Sequence, residues 1–326
     1  MPSTAVRYLG LPLKSPVILS SSSLTNTVNG IRRAADAGAG AVVLKSLFEE
    51  QIEADTAQNS EEIDYSIHPE AAEYIQQMGK HLGPGNYLNL ISEAKRTVEI
   101  PVIASVNCIT PRWWGDYGRQ IESAGADALE LNIAIMPREG EEPSEVEAGY
   151  ARIVERVREQ VKLPIAVKIG PYFTSLQRLV VDLQRAGADA IVMFNRFYQL
   201  DIDIDSMQLA AGYQFSSPQE IHTALRWISI LSGDTSCELV ASTGVHDGSD
   251  AIKMLLAGAT AVQVCSTVYQ NGYARITEIN REIDAWMEEK GYQAIEHFRG
   301  RLSQAGSASP ESYERLQYIR ALTGLA

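Results

Sequence analysis

Short apolar runs in this sequence end repeatedly on polar side chains: on Ser20 and Ser21, on Lys45 and Ser46, on Ser105 and Asn107, on Asn132, Lys168 and Asn195, on Ser242 and Thr243, and on Cys265 and Ser266. A lone lysine in such a place reads as a solvated terminus. Two lysines and three asparagines brought to one place make a binding set for a planar, electron-rich heterocycle, because ammonium and amide groups donate to ring carbonyls and nitrogens. The segments STGVHDG (242–248) and VCST (264–267) add a second chemistry. Gly244 lets a ligand approach the backbone closely, and the local N–H groups with the hydroxyls of Ser242, Thr243 and Ser266 suit a phosphate.

The elements that carry these residues repeat. AGAGAVVLK (37–45), AGADALELN (124–132), AGADAIVMFN (186–195) and AGATAVQVCS (257–266) share one grammar: a helix stopped by glycine, then a short apolar strand. PVILSS (16–21), PVIASVN (101–107), PIAVKIG (164–170) and ELVASTG (238–244) supply four more strands. Helical spacing fills the intervals, and strands apolar on both faces argue for a parallel sheet covered by helices. The expectation is one domain over 1–326, a (β/α)₈ TIM barrel. A doubly wound open sheet would place a G-x-G-x-x-G turn after its first strand, and SSSSLTN (20–26) is not that turn. Long insertions follow strand two (48–85) and strand six (196–215). Both leave carboxyl ends of strands, the face on which barrels build active sites. A flavin meets the description of the heterocycle expected there.

The bulk composition removes several function classes. With 28 basic and 41 acidic residues the chain carries a net charge of −13, which repels a nucleic acid backbone and an anionic membrane surface. No apolar run approaches a membrane span and no signal-peptide stretch opens the sequence, so a cytoplasmic protein is expected. Three cysteines without a CxxC pair suggest neither a disulfide framework nor a metal site.

VVLKS, ELN, PIAVKIGP, GSDAIKMLLAGATAVQV and MEEKGYQAIEHFRGRL, in that order, resemble the soluble, FMN-dependent dihydroorotate dehydrogenases, from the first strand to about Leu302. The resemblance implies pyrimidine biosynthesis, a homodimer, a small-molecule substrate and a soluble electron acceptor such as fumarate. It implies that FMN is held by Ser20, Ser21, Lys45, Ser46, Asn107, Asn132, Lys168, Asn195, Ser217, Ser242, Thr243, Gly244, Cys265 and Ser266. Lys168 would stabilise negative charge on the reduced ring, and Lys45 would serve beside it. Gln76, Asn132, Asn195 and Arg196 would face the substrate.

The departures concern the chemistry. Where the family follows the strand-four asparagine with a loop whose cysteine or serine takes the substrate proton, this chain reads Asn132-Ile133-Ala134-Ile135-Met136-Pro137-Arg138, and neither isoleucine nor methionine accepts a proton. An acidic loop, 138–147, follows. Cys108, Glu139 and Glu141 are substitute bases, each with a blander reading as a buried thiol or a solvated loop charge. Tyr172 and Tyr198 could donate a proton, with packing as the plainer role. Glu130 shares side-chain parity with Asn132, so it should point into the barrel and pair with Lys168. Four readings stay open: a dihydroorotate dehydrogenase with a base from elsewhere, a flavin oxidoreductase for a related ring with a CH–CH bond, a flavin-binding barrel without dehydrogenase activity, and a flavin-free, phosphate-binding lyase or isomerase with a Schiff-base lysine. The intact cofactor framework beside an altered substrate loop favours the second.

Overall fold

A computed structural model of the chain describes residues 2–52, 83–110, 114–196, 200–210, 214–313 and 315–324. An antiparallel hairpin, β1 (Val6–Tyr8) and β2 (Leu11–Leu13), comes first. The barrel strands follow as β3 (Val17–Leu19), β4 (Ala41–Val43), β6 (Val102–Cys108), β7 (Ala128–Ile133), β8 (Ile165–Ile169), β9 (Ala190–Met193), β12 (Glu238–Ser242) and β13 (Ala261–Val264), with a short β5 (Leu47–Phe48) beside β6. Every barrel pairing is parallel, and the β4–β6 ladder, with Val42 opposite Val102, closes the ring.

These eight strands are the eight that the sequence repeats predict. They form because β-branched and apolar residues can be buried on both sides: all five residues of β8 are buried, Lys168 among them. The covering helices are α1 (Val28–Asp36), α2 (Pro84–Thr97), α3 (Trp114–Ser123), α4 (Pro143–Arg158), α5 (Leu176–Ala186), α6 (Ile221–Leu231), α7 (Gly248–Ala257), α8 (Ser266–Asn271) and α9 (Ala274–Lys290), with α10 (Arg315–Thr323) near the carboxyl terminus. The Ala-Gly-Ala stops work as expected. Gly187 and Gly258 take left-handed backbone at φ +107° and +118°, and each turns the chain from a helix end toward the next strand.

Two hairpins lie outside the sequence expectation. β1 and β2 close the amino end of the barrel, where the Leu9 amide donates to Glu238 at the start of β12 (2.6 Å) and Tyr8 is wholly buried. β10 (Asp201–Asp203) and β11 (Gln208–Ala210) rise from the insertion that follows β9. Among the described residues no helix is long and apolar enough to cross a membrane.

Candidate functional site

Strand register assembles the core of the site. Asn107 on β6 lies opposite Asn132 on β7, and Asn132 lies opposite Lys168 on β8, so three expected ligands form one row. Lys168 is 6% exposed; its Nζ donates to Ser20 Oγ and to Gln263 Oε1, each at 3.0 Å. Glu130 lies 3.8 Å from that ammonium, the expected partner. Gln263 on β13 joins the two, since its Nε2 donates to Glu130 Oε2 while Ser20 Oγ donates to its Oε1 (3.0 Å). A buried charge in such a web is tolerated because each member satisfies another; removing one partner of a buried pair costs about 3–5 kcal/mol. In and below this web, Glu130 Oε1 and the hydroxyl of Tyr8 have no hydrogen-bond partner among the described residues. Burial, then the nearby Glu130 and Glu238 carboxylates, push the Tyr8 hydroxyl well above its ordinary pKa.

The turns after β12 and β13 form the second part. Thr243 holds φ +76°, a rare conformation for a β-branched residue, and anchors it by donating Oγ1–H to the Phe194 carbonyl (2.9 Å). Gly244 follows at φ +80°, so close to α6 that an added Cβ would lie 2.3 Å from the Ile221 nitrogen. The amides of Gly244 and Val245 donate to no acceptor among the described residues. Such unpaired N–H groups beside a cleft form an anion cradle. Ser266 Oγ accepts from the Ser216 amide (2.9 Å), and Ser216 Oγ meets His246 Nε2 at 3.1 Å. Burial lowers the His246 pKa, against the upward pull of Asp250, Asp247 and Glu220, and burial raises the Cys265 thiol.

One cleft of about 480 Å³ joins both parts; Ser20, Ser21 and Lys168 line one wall, Ser242, Thr243 and Gly244 another, and Cys265 and Ser266 a third. Asn195 and Arg196 complete its rim. Asn195 Nδ2 donates to Asn132 Oδ1 (2.9 Å), while Arg196 is held by Glu220 (2.7 Å) and the Gln214 carbonyl (2.6 Å). Ser46 completes a hydroxyl chain with Ser21 (3.0 Å) and Ser105 (2.8 Å). Lys45 and Asn107 are half-buried at their strand ends, with side chains that engage no described residue. Ser217 is committed to a capping box, in which its amide donates to Glu220 (2.7 Å), and Ser216 faces the cleft in its place.

The loop between β7 and α4 is different. Ile135 is partly buried against the core and its amide donates to the Tyr150 hydroxyl (3.2 Å), whereas Met136 is 58% exposed. Glu139 and Glu141 are exposed, and Glu141 accepts the Arg138 amide (2.9 Å), closing a local turn. The acidic segment is shorter as a loop than its sequence suggests, because α4 already begins at Pro143. With Tyr150, Gly170, Tyr172 and Phe173, this loop lines a second cleft of about 760 Å³. Tyr172 is 62% exposed there. Gln76 and Tyr198 lie outside the described residues, and Cys108 is described only as the last residue of β6. Cys237, at the opposite end of the barrel, is buried and its thiol is pushed up to about 11 by desolvation.

The donor set fits FMN. Lys168 on the floor offers a cation, Asn195 offers an amide held from behind the cleft lining by Asn132, and the free Gly244 and Val245 amides with Ser242 and Ser266 offer a phosphate cradle. Gln263, Ser216 and His246 were missed from sequence. Gln263 could have been found as the one polar residue of an apolar strand, on the inward parity. Ser216 could have been found from the capping signature of Ser217-Pro218-Gln219-Glu220, which commits the second serine to a helix start.

Residues 3–287 match the family model described as "Dihydroorotate dehydrogenase". The chain is 28% identical over 300 residues to the "Dihydroorotate dehydrogenase B (NAD(+)), catalytic subunit" of Pyrococcus abyssi, covering 90% of this chain and 97% of that protein. It is 30% identical over 303 residues to the protein of the same name from Methanosarcina mazei, covering 89% and 92%.

Proposed function

The chain belongs to the dihydroorotate dehydrogenase family of oxidoreductases acting on CH–CH groups, and from that premise we propose that it holds FMN at the barrel mouth and oxidises a small anionic ring. The observation that carries this reading is the pairing of a buried lysine with an unsatisfied anion cradle across one cleft. FMN, when bound, supplies the hydride acceptor. Lys168, with Lys45 as the second cation of the mouth, would carry the catalytic charge, and Ser20, Ser21, Ser46, Asn107, Asn132, Asn195, Ser242, Thr243, Gly244, Cys265 and Ser266 would hold the group, with Ser216 added and Ser217 acting through the capped turn that leads into α6. Asn132 and Asn195, locked together at 2.9 Å, present a fixed amide pair to a ring carbonyl or nitrogen. Arg196, whose Nε and Nη1 are engaged by Glu220 and the Gln214 carbonyl, keeps its remaining guanidinium N–H groups at the rim as donors suited to a carboxylate. Gln76 completes the proposed substrate set.

The substrate is dihydroorotate or a related ring with a CH–CH bond. Ile135 and Met136 cannot take its proton, and the exposed Glu139 and Glu141 point the chemistry toward a base carried by another part of the mouth. For the acceptor, the relatives' names pair NAD(+) with a catalytic subunit, which favours electrons leaving through a second protein over the fumarate that the sequence suggested. A cytoplasmic homodimer is the proposed setting.

The test is the visible spectrum of the purified protein before and after anaerobic addition of dihydroorotate. A flavin band that bleaches supports FMN and this substrate. A band that persists keeps FMN and moves the search to related rings. A colourless preparation that does not take up added FMN removes the reading and favours the flavin-free alternative.

A further inference from the structure

We propose that Glu130 is a positioning residue for Lys168: its buried carboxylate ties the ammonium to the barrel floor, directly and through Gln263, and so limits how strongly bound FMN is favoured in its reduced, anionic form. The inference rests on the FMN reading above and adds to it a residue that sets the cofactor's potential.

The ammonium has three N–H groups. Two are used, on Ser20 Oγ and Gln263 Oε1, both at 3.0 Å. No third hydrogen-bond acceptor is present among the described residues, because Glu130 Oε1, at 3.8 Å, is within ion-pair range but beyond hydrogen-bond range. That same Oε1 has no hydrogen bond among the described residues, although Glu130 is 1% exposed. The other oxygen, Oε2, accepts from Gln263 Nε2. The glutamine is therefore clamped at both ends: its amide nitrogen on Glu130 fixes its carbonyl on Lys168. Glu130 thus acts on the lysine by geometry through Gln263 and by charge across 3.8 Å.

The unmatched third N–H and the unmatched carboxylate oxygen have a consequence for a ligand above them. When two electrons and one proton enter the flavin ring, one negative charge is left on it, and Lys168 is the buried cation that lines the cleft. A carboxylate 3.8 Å behind that cation cancels part of its field in a region with little water to screen it. Glu130 consequently favours the oxidised cofactor relative to the reduced one.

The experiment is a redox titration of the FMN-loaded protein against a reference dye, for wild type, Glu130→Gln and Glu130→Asp. Glu130→Gln keeps the acceptor for Gln263 and removes the charge. Its expected result is at least a tenfold gain in preference for reduced over oxidised FMN, a rise of about 30 mV for a two-electron couple. Glu130→Asp keeps the charge but withdraws it, and should give a smaller rise of the same sign. An unchanged or lowered potential, whatever happens to thermal stability, overturns the inference and leaves Glu130 a structural residue. Should Glu130→Gln fail to fold, the aspartate variant decides by the same sign. A wild-type protein that binds no FMN defeats the cofactor reading before any variant is compared, so the two failures are distinct.

Discussion

After β12 the chain accepts a threonine at positive φ and leaves two backbone amides without acceptors among the described residues, whereas the segment between β7 and α4 is open to water from Met136 onward, closes a local turn between Arg138 and Glu141, and turns its glutamates outward. Strain and unpaired donors are costly, and they persist where the surroundings or a ligand compensate them. The loop after β7 carries no comparable cost. One region is therefore constrained by what it must hold, and the other is free to change what it admits. That contrast is what the proposed reading requires of a chain that would keep a cofactor framework while changing its proton acceptor.

The largest effect should follow from breaking the floor of the constrained region. Lys168→Met leaves Glu130 buried without its cation, and should cost about 3–5 kcal/mol of stability in denaturant titrations together with retention of FMN. A stable, fully yellow variant would show that the floor is not the constraint. Gly244→Ala comes next. Its methyl group would lie 2.3 Å from the Ile221 nitrogen and 2.6 Å from its Cα, on backbone at φ +80°. About 1–3 kcal/mol of destabilisation is expected, with weaker binding of FMN measured by fluorescence quenching. Unchanged affinity would place the phosphate elsewhere.

The constrained region was also the more legible in the sequence, for a physical reason. Eight repeats of strand and helix fix which end of each strand is polar, and parallel register then brings Asn107, Asn132 and Lys168 into line without further information. The β1–β2 and β10–β11 hairpins were not legible, because three-residue strands carry too little periodicity to stand out. Gln263 was hidden for a different reason: its function depends on two partners, Glu130 and Lys168, that are 133 and 95 residues away. In the freer region the sequence raised the expectation that no base stands at Ile135 or Met136, but it could not show that Glu141 is occupied by the Arg138 amide.

A milder substitution separates the two regions. Tyr150→Phe removes the hydroxyl that accepts the Ile135 amide while keeping the edge-on contact with Phe173, whose ring centre is 5.2 Å away. The loss should be about 1 kcal/mol in stability. FMN affinity should be unchanged, and the concentration of substrate needed for flavin reduction should rise as the loop loosens. Equal losses of FMN and substrate binding would mean that the loop and the cradle act as one unit.

The smallest effect concerns pH. His246 sits beneath the cradle against Ser216, and burial lowers its pKa below the ordinary histidine value of about 6.5. Above that value His246 is neutral in both folded and unfolded chains, and its contribution to stability is fully present. As pH falls through about 6.5 the unfolded chain takes up a proton that the folded chain resists, so the folded state loses stability over that window and below. Denaturant titrations from about pH 8 to about pH 5 should therefore show wild type losing stability relative to His246→Gln, which keeps a polar contact for Ser216 but does not titrate. The difference between the two proteins isolates this histidine from the carboxylates and from the other four histidines of the chain. Parallel pH curves would mean that His246 takes its proton as readily when folded. The floor of the cradle would then be as open to water as the loop after β7, and the contrast between the two regions would rest on Lys168 and Gly244 alone.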